Sequence, residues 1–299
     1  SAFSPGPVPD APAVQILAGR GLKRYLLHVG SCIPRKRIDV LLEVFAALRP
    51  RFPELRLLQV GGEWSACQRS LIERLGIGSA VVQLARQREA VLAGIYRTAA
   101  AVLIPSEREG FGLPVIEALA CGTAVVASDI PALRETGGDA ALYCPVADAP
   151  AWVEMVARIL AEPGSAPGPS LRLAQARRFS WAEQARTIAA AYQSLSSRMA
   201  LRPFMKLRAT EERSRAGSGA PRRNLKNNGF AECLPTANLL SPEKRLRVLH
   251  IGKFYPPHKG GMESHLEALC NELRHWVDVE VLVANDDARE ISEVLDEIP

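Results

Sequence analysis

Short hydrophobic runs alternate with amphipathic stretches along residues 25–195. Runs of about four to six apolar residues that stop at a glycine or a loop are typical of buried parallel strands. Apolar positions three and four apart are typical of helices. The runs predicted as strands are residues 25–29, 55–60, 81–84, 101–104 and 124–127. The stretches predicted as helices are residues 38–48, 66–75, 89–99, 114–120, 151–160 and 181–195.

This alternation predicts an α/β fold, in which a Rossmann-like parallel sheet carries helices on both faces. A later strand–helix–strand pattern, at 246–251, 262–274 and 279–283, cannot form a domain alone, so we expect an incomplete second α/β unit there. The expected organisation is a lead-in without regular structure at 1–24, a large domain at 25–195, a mostly flexible basic linker at 196–244 and a partial domain at 245–299.

The composition is that of an ordinary globular protein, with 47% hydrophobic and 23% charged residues among 299. The net charge of +5 is uneven, because nine Lys or Arg residues and only two acids lie between Arg198 and Lys226. The rest of the chain is near balance, which argues against a nucleic-acid partner. The basic segment is a candidate for peripheral contact with an anionic membrane, and a solvated linker is the plainer alternative.

Cysteine use and the lack of long apolar runs favour a cytoplasmic protein, with any membrane contact at the inner face. Six cysteines are scattered without a C-x-x-C pair, as in reducing compartments, and no structural metal site is expected. The longest apolar runs are too short to span a bilayer. The N-terminal residues lack the pattern of a secretion signal.

The most informative string is SEREGFGLPVIEA, from Ser106 to Ala118, between a predicted strand and a predicted helix. Gly110 and Gly112 would let backbone approach a ligand closely. The free N–H groups at the following helix start would form an anion site at the carboxyl end of a parallel strand. Glu109 and Glu117 could accept hydrogen bonds from sugar hydroxyls. Taken singly, Glu109 could instead be a solvated loop acid, and Glu117 could merely complement the helix dipole.

A second string follows the first predicted strand, where Gly30 leads into three consecutive cations, Arg35, Lys36 and Arg37. Lys36 could neutralise a phosphate, since a departing diphosphate needs a positioned cation. Arg35 and Arg37 alone would fit a solvated charge run. His28, inside the strand run, is expected to be a core histidine with its hydrogen bonds satisfied.

A third string places Gly260 and Gly261 between a predicted strand and a predicted helix, where they would permit close approach to phosphate or sugar.

The sequence lacks the motifs that are typical of several other enzyme classes. There is no G-x-G-x-x-G, P-loop or G-x-S-x-G string, which argues against dehydrogenases, P-loop enzymes and serine hydrolases. No D-x-D occurs, which argues against a transferase that holds its donor through a divalent metal.

The first two strings, together with Val60-Gly61-Gly62 and the GTAVVA string at 122–127, resemble family-four glycosyltransferases, a large retaining family of the GT-B fold. The resemblance covers 25–195, which matches that family's donor-binding domain. It implies a nucleotide diphosphate sugar as donor substrate, a saccharide or lipid-linked acceptor, and no metal or other cofactor. The implied roles are ribose binding by Glu117, contact with the transferred sugar by Glu109, stabilisation of the leaving phosphate by Lys36, and backbone contacts to sugar and diphosphate by Phe111, Gly112 and Leu113.

One position departs from the family pattern, because Ser31 stands where the family commonly has Arg; Arg35 or Arg37 could compensate. Residues 246–284 resemble the start of the family's acceptor-binding domain, with Gly260 and Gly261 in its glycine loop. The order is inverted, so we expect a segment that spans two tandem glycosyltransferase units. The alternative is a catalytically incomplete module that binds nucleotide sugars.

Overall fold

The computed structural model describes residues 3–5, 11–200, 245–252 and 261–283. The chain divides into two compact units, Ser1–Ser180 and Trp181–Pro299. Strands of the first unit, as far as it is described, are β1 (Tyr25–Gly30), β2 (Arg56–Gly61), β3 (Val81–Leu84), β4 (Ala101–Ile104), β5 (Val125–Ser128) and β6 (Leu142–Cys144). Its helices are α1 (Ala11–Ala18), α2 (Ile38–Leu48), α3 (Ala66–Arg74), α4 (Glu89–Thr98), α5 (Leu113–Ala120), α6 (Pro131–Gly137), α7 (Ala149–Ala161) and α8 (Pro169–Arg177).

All neighbouring strands of the first unit pair in parallel, in the order β3-β2-β1-β4-β5-β6. The direction of winding reverses between β1 and β4. In open sheets of this kind, ligands bind in the crevice at the carboxyl ends of the strands beside that reversal. The loops that follow β1 and β4 therefore lie where a ligand site is expected.

Two hydrophobic clusters cover the two faces of this sheet. Successive residues of β1 point to opposite faces, so Leu26 packs in one cluster and Leu27 in the other. Phe45 of α2 and Trp152 of α7 belong to the first cluster, and Tyr96 of α4 belongs to the second. The predicted α/β fold, with a Rossmann-like sheet between two helical layers, is confirmed.

Some local predictions were wrong. The lead-in is partly regular, because α1 forms within it and buries Leu17 against the second cluster. The sequence analysis missed β6, which has only three residues, and also α6 and α8. Helices α6 and α8 are short and begin with a proline, and neither carries a long apolar periodicity.

The second unit has α9 (Trp181–Ala200), β7 (Arg247–Gly252), α10 (Gly261–Leu273) and β8 (Asp278–Val283) among its described residues. Strands β7 and β8 pair in parallel, as the predicted strand–helix–strand pattern requires. The sequence analysis grouped α9 with the first domain, but Ala185 and Ala189 of α9 pack in one cluster with Leu269 and Leu273 of α10. Most of the predicted linker, residues 201–244, lies outside the described residues.

Over the part of the chain that the structure describes, no helix combines the length and the hydropathy needed to cross a membrane.

Candidate active site at the carboxyl edge of the sheet

The loop after β1 turns one cation inward. Gly30 ends the strand, a 3₁₀ helix forms over Pro34–Lys36, and α2 begins at Ile38. Lys36 is buried, with 8% of its surface exposed, whereas Arg37 pairs with Asp39 of α2 at 2.7 Å. The consecutive cations thus differ in their surroundings. Arg37 forms an ion pair next to the start of α2, whereas Lys36 is buried in the site.

Glu109 lies at the centre of a cluster of hydrogen-bond donors. Its Oε1 accepts from Lys36 Nζ at 2.5 Å and from Ser106 Oγ at 2.8 Å, and its Oε2 accepts from Arg35 Nη1 at 3.0 Å. The Glu109 side chain is 7% exposed. Burial acts to raise the pKa of Glu109, but the charge of Lys36 and these hydrogen bonds outweigh it and lower the pKa. Glu109 is therefore an ionised, enclosed carboxylate, and its description as a solvated loop acid is wrong.

Two hydrogen bonds to backbone carbonyls join the loop after β1 to the loop after β4. The Glu107 N–H donates to the Arg35 carbonyl at 2.9 Å, and Arg35 Nη1 donates to the Arg108 carbonyl at 2.9 Å. The two loops thus form one surface at the point where the sheet reverses direction.

The end of β2 supports this surface from the side. A Cβ added at Gly61 would lie 2.6 Å from the Gly30 carbonyl oxygen, and one at Gly62 would lie 2.6 Å from Cys32 N. Only glycine allows β2 to approach the loop this closely. Buried Gln59 donates from Nε2 to the same Gly30 carbonyl at 2.8 Å. The sequence analysis did not select Gln59, although a polar residue inside an apolar strand run was a usable signal.

His28 lies beside Lys36, near the end of β1. Both Lys36 Nζ and His28 Cε1 are close to the point that a Cβ on Gly30 would occupy, at 3.6 Å and 3.7 Å. His28 is 1% exposed, and its Nδ1 has no hydrogen-bond partner among the residues that the structure describes. The prediction of a core histidine is confirmed, whereas the expectation that its hydrogen bonds are satisfied is wrong for Nδ1. Burial, with the nearby charge of Lys36, lowers the pKa of His28 to about 3 although Glu109 acts to raise it, so the imidazole is neutral.

The glycine-bearing loop after β4 ends in a constrained helix start. Gly112 precedes α5 with a φ of 89°, and a Cβ there would also lie 2.8 Å from Leu133 Cδ2. Gly112 has no side chain to cap α5. Pro114 has no N–H and the Val115 N–H donates to the Gly112 carbonyl at 2.9 Å, so Leu113 provides the N–H that this helix start can offer to a ligand. Helix α5 begins at Leu113, one residue before the predicted start. The Phe111 ring meets Phe179 edge to face, with centroids 5.8 Å apart.

Glu117 lies in α5 beyond the first turn, which contains no acidic residue. Its proposed role as a complement to the helix dipole is therefore wrong. The Tyr96 hydroxyl donates to Glu117 Oε2 at 2.7 Å. Burial raises the pKa of Glu117, and the bond from Tyr96 acts in the opposite direction. The charge of Glu89, the first residue of α4, also acts to raise the pKa of Glu117, and the charge of Arg86 acts to lower it.

The remaining predicted residues lie as follows. Ser31 and Gly110 are exposed, and a Cβ on Gly110 would meet no atom within 4 Å. Gly261 is the first residue of α10 in the second unit, and Gly260 lies outside the described residues. Within the described ranges, no group of three His, Cys, Asp or Glu side chains could hold a metal ion.

Residues 15–178, more than half of the chain, match the family described as "Glycosyl transferases group 1". The chain belongs to this family. The match spans the sheet, the Lys36–Glu109 cluster and the α5 helix start.

Curated relatives of this glycosyl transferase chain cover the same region. A D-inositol 3-phosphate glycosyltransferase of Actinosynnema mirum is 36% identical over 203 residues, which is 64% of this chain and 48% of the relative. An O-antigen chain mannosyltransferase B of Escherichia coli is 33% identical over 162 residues, which is 52% of this chain and 42% of the relative. The chain thus spans about half the length of the curated relatives that it matches.

Solved structures of GT-B glycosyltransferases have the same α/β fold. A sucrose-phosphate synthase of Thermosynechococcus elongatus has a TM-score of 0.57 and 30% identity, over 66% of this chain and 50% of the other. HepE of Anabaena, solved in complex with UDP-glucose, has a TM-score of 0.55 and 19% identity, over 66% of this chain and 54% of the other. At this level of identity, the similarity to HepE supports a shared fold and nothing more.

Proposed function

We propose that this chain binds a nucleotide diphosphate sugar and supplies the donor half of a retaining, family-four hexosyltransferase. The acceptor is a saccharide or a lipid-linked sugar, in glycan or polysaccharide biosynthesis. The relatives named for transfer to D-inositol 3-phosphate and for mannosyl transfer in an O-antigen chain support a role of this kind.

The observation that carries the proposal is the cluster of Arg35, Lys36 and Glu109 at the reversal point of the sheet. Two cations and the uncapped start of α5 provide positive charge at the carboxyl edge, as a diphosphate requires. The enclosed carboxylate of Glu109 provides an acceptor for hydroxyl groups. Few ligands other than a phosphorylated sugar would use both features together.

In the proposed reaction, the bond between the anomeric carbon and the diphosphate oxygen breaks while the bond to the acceptor oxygen forms on the same face of the sugar, and the proton of the acceptor hydroxyl passes to the departing diphosphate oxygen. Negative charge develops on the leaving diphosphate. Lys36, Arg35 and the Leu113 N–H at the start of α5 stabilise that charge, and Glu109 accepts a hydrogen bond from a hydroxyl of the transferred hexose. Glu117 accepts hydrogen bonds from the donor ribose. No metal or other cofactor is needed.

Calorimetric titration with UDP-glucose and with GDP-mannose tests the proposal, in wild type and in two matched variants. Lys36→Met should weaken binding of the preferred donor about 10-fold to 100-fold, since it removes a charge-assisted contact. Lys23→Met removes an exposed lysine just before β1 and should leave binding unchanged. If neither donor binds the wild-type chain, or if both variants behave like the wild type, the proposal is wrong.

The alternative, a nucleotide-sugar-binding module without transfer activity, is favoured by the half-length match to the curated relatives. Titration alone does not separate the two functions. The two functions are distinguished by measuring the release of free nucleoside diphosphate from the donor, with and without a saccharide acceptor. Binding without turnover would favour the module, and acceptor-dependent release that Lys36→Met abolishes would favour the enzyme.

A further inference from the structure

Tyr96 of α4 is fully buried, and it lies against the carboxylate of Glu117 in the neighbouring helix α5. Its position is fixed by two further contacts. Thr123 Oγ1 donates to the Tyr96 backbone carbonyl at 2.7 Å, and the Phe3 ring meets the Tyr96 ring edge to face at 5.9 Å. These contacts hold the backbone and the ring of Tyr96 in place, and thereby position the hydroxyl that donates to Glu117 Oε2 at 2.7 Å.

The chain offers a direct comparison with a second buried tyrosine. Tyr25 at the start of β1 is equally buried, and its hydroxyl bonds to the Ile95 carbonyl at 2.5 Å and to Thr98 Oγ1 at 2.6 Å. Neutral partners such as these are the ordinary way to satisfy a buried hydroxyl. Tyr96 instead donates to a carboxyl group, and burial raises the pKa of that group because its charged form is costly to bury.

A free glutamate side chain loses rotamer entropy when it is ordered. The hydroxyl of Tyr96 orders the Glu117 side chain in the free protein, so that this loss of rotamer entropy does not weaken ligand binding. The Glu117 carboxyl group has more than one acceptor position, and Tyr96 uses one of them on Oε2. The other sites remain for ligand hydroxyl groups.

We propose that Tyr96 is a positioning residue for nucleotide recognition, and that its hydroxyl orients the Glu117 carboxylate towards the ribose hydroxyls of a nucleoside diphosphate. This inference rests on the proposed function, in which Glu117 binds the donor ribose. Tyr96 touches Glu117 and not the substrate. Its removal should therefore weaken the ribose contact without changing the contacts to the diphosphate or to the transferred sugar.

Tyr96→Phe removes the hydroxyl and keeps the ring, and Tyr25→Phe is the matched control. Binding is measured by calorimetry with whichever of uridine diphosphate and guanosine diphosphate binds wild type more tightly, and with the 2′-deoxy and 3′-deoxy forms of that nucleotide. Tyr96→Phe should weaken binding of the ribose form about 5-fold to 20-fold. Tyr25→Phe should leave binding within 2-fold of wild type, whatever it does to the melting temperature.

The deoxy nucleotides distinguish positioning from general destabilisation. In wild type, removal of the ribose hydroxyl that Glu117 binds should weaken binding about 10-fold or more. In Tyr96→Phe that penalty should shrink to about 2-fold, because the carboxylate is no longer oriented. A general loosening of the fold would weaken all nucleotides equally and leave the penalty unchanged, which would overturn the inference.

Glu117→Gln separates this inference from the function on which it rests. If Glu117→Gln also abolishes the deoxy penalty while Tyr96→Phe retains it, then Glu117 binds ribose without help from Tyr96 and only the inference fails. If wild type binds neither nucleotide, or shows no deoxy penalty, then the proposed binding of ribose by Glu117 fails as well.

Discussion

Lys36 and Glu109 lie 73 positions apart in sequence, yet Lys36 Nζ donates to Glu109 Oε1 at 2.5 Å and both side chains are buried. The pair joins the loop after β1 to the loop after β4 at the reversal point of the sheet. The carboxylate of Glu109 is thus paired with the cation that a diphosphate would require. A donor must compete with Glu109 for Lys36, or else share it.

Glu109→Gln is therefore expected to separate binding from transfer. Loss of the carboxylate frees the charges of Lys36 and Arg35, so uridine or guanosine diphosphate should bind as tightly as to wild type or up to about 10-fold more tightly. Sugar transfer should fall about 10²-fold or more, because the hydroxyl contact of the hexose weakens. Titration with the bare nucleotide and a transfer assay check the two expectations; equal losses in both would contradict this account.

Arg35 and Arg37 are expected to differ, although both precede α2. Arg35 reaches Glu109 Oε2 and the Arg108 carbonyl, while Arg37 is paired with Asp39. Arg35→Gln should weaken nucleoside diphosphate binding about 5-fold to 10-fold, with a shallower dependence on salt. Arg37→Gln should stay within 2-fold of wild type. Calorimetry at two salt concentrations measures both effects, and a larger loss for Arg37→Gln would reverse the assignment.

How far the sequence predicts this structure depends on the range of the interactions. The bounds of α2, β3 and β4 were predicted correctly, because uniform apolar runs and a clear helical period are local signals. The pairing of Lys36 with Glu109 is not local. It requires that β4 lie next to β1, and a sequence does not reveal the order of strands in a sheet. For the same reason Tyr96 was missed, since nothing in α4 indicates that it faces Glu117.

Gly61 is expected to tolerate no side chain. Its φ is 124°, and an added Cβ would lie 2.6 Å from the Gly30 carbonyl oxygen, which is backbone and cannot rotate away. Gly61→Ala should destabilise the protein by about 3 kcal/mol or more and weaken nucleotide binding, because the loop after β1 must move. Gly76→Ala is the matched control. Gly76 also has a positive φ, 64°, but no atom within 4 Å of the added Cβ, so about 1 kcal/mol is expected. Urea unfolding measures both, and equal costs would argue against close packing at Gly61.

His28 is expected to make the fold sensitive to mild acid. Its pKa is about 3 in the folded protein against 6.5 ordinarily, so below pH 6.5 the unfolded chain takes up a proton that the folded chain does not. The contribution of neutral His28 to the free energy of unfolding is therefore fully present above pH 6.5. It is lost progressively as the pH falls from 6.5 towards 3. Between pH 7 and pH 5 this loss amounts to about 2 kcal/mol.

His28→Leu isolates this contribution, because leucine fills a similar volume and does not titrate. Glu117, whose pKa is raised by burial, acts in the opposite direction in acid, but it does so in both proteins. The difference in unfolding free energy between wild type and His28→Leu should therefore shift in favour of the variant by about 2 kcal/mol from pH 7 to pH 5. Urea unfolding at pH 7, 6 and 5 measures that shift. Parallel curves for the two proteins would mean that His28 takes up its proton in the folded state, and thus that it is not held neutral beside Lys36.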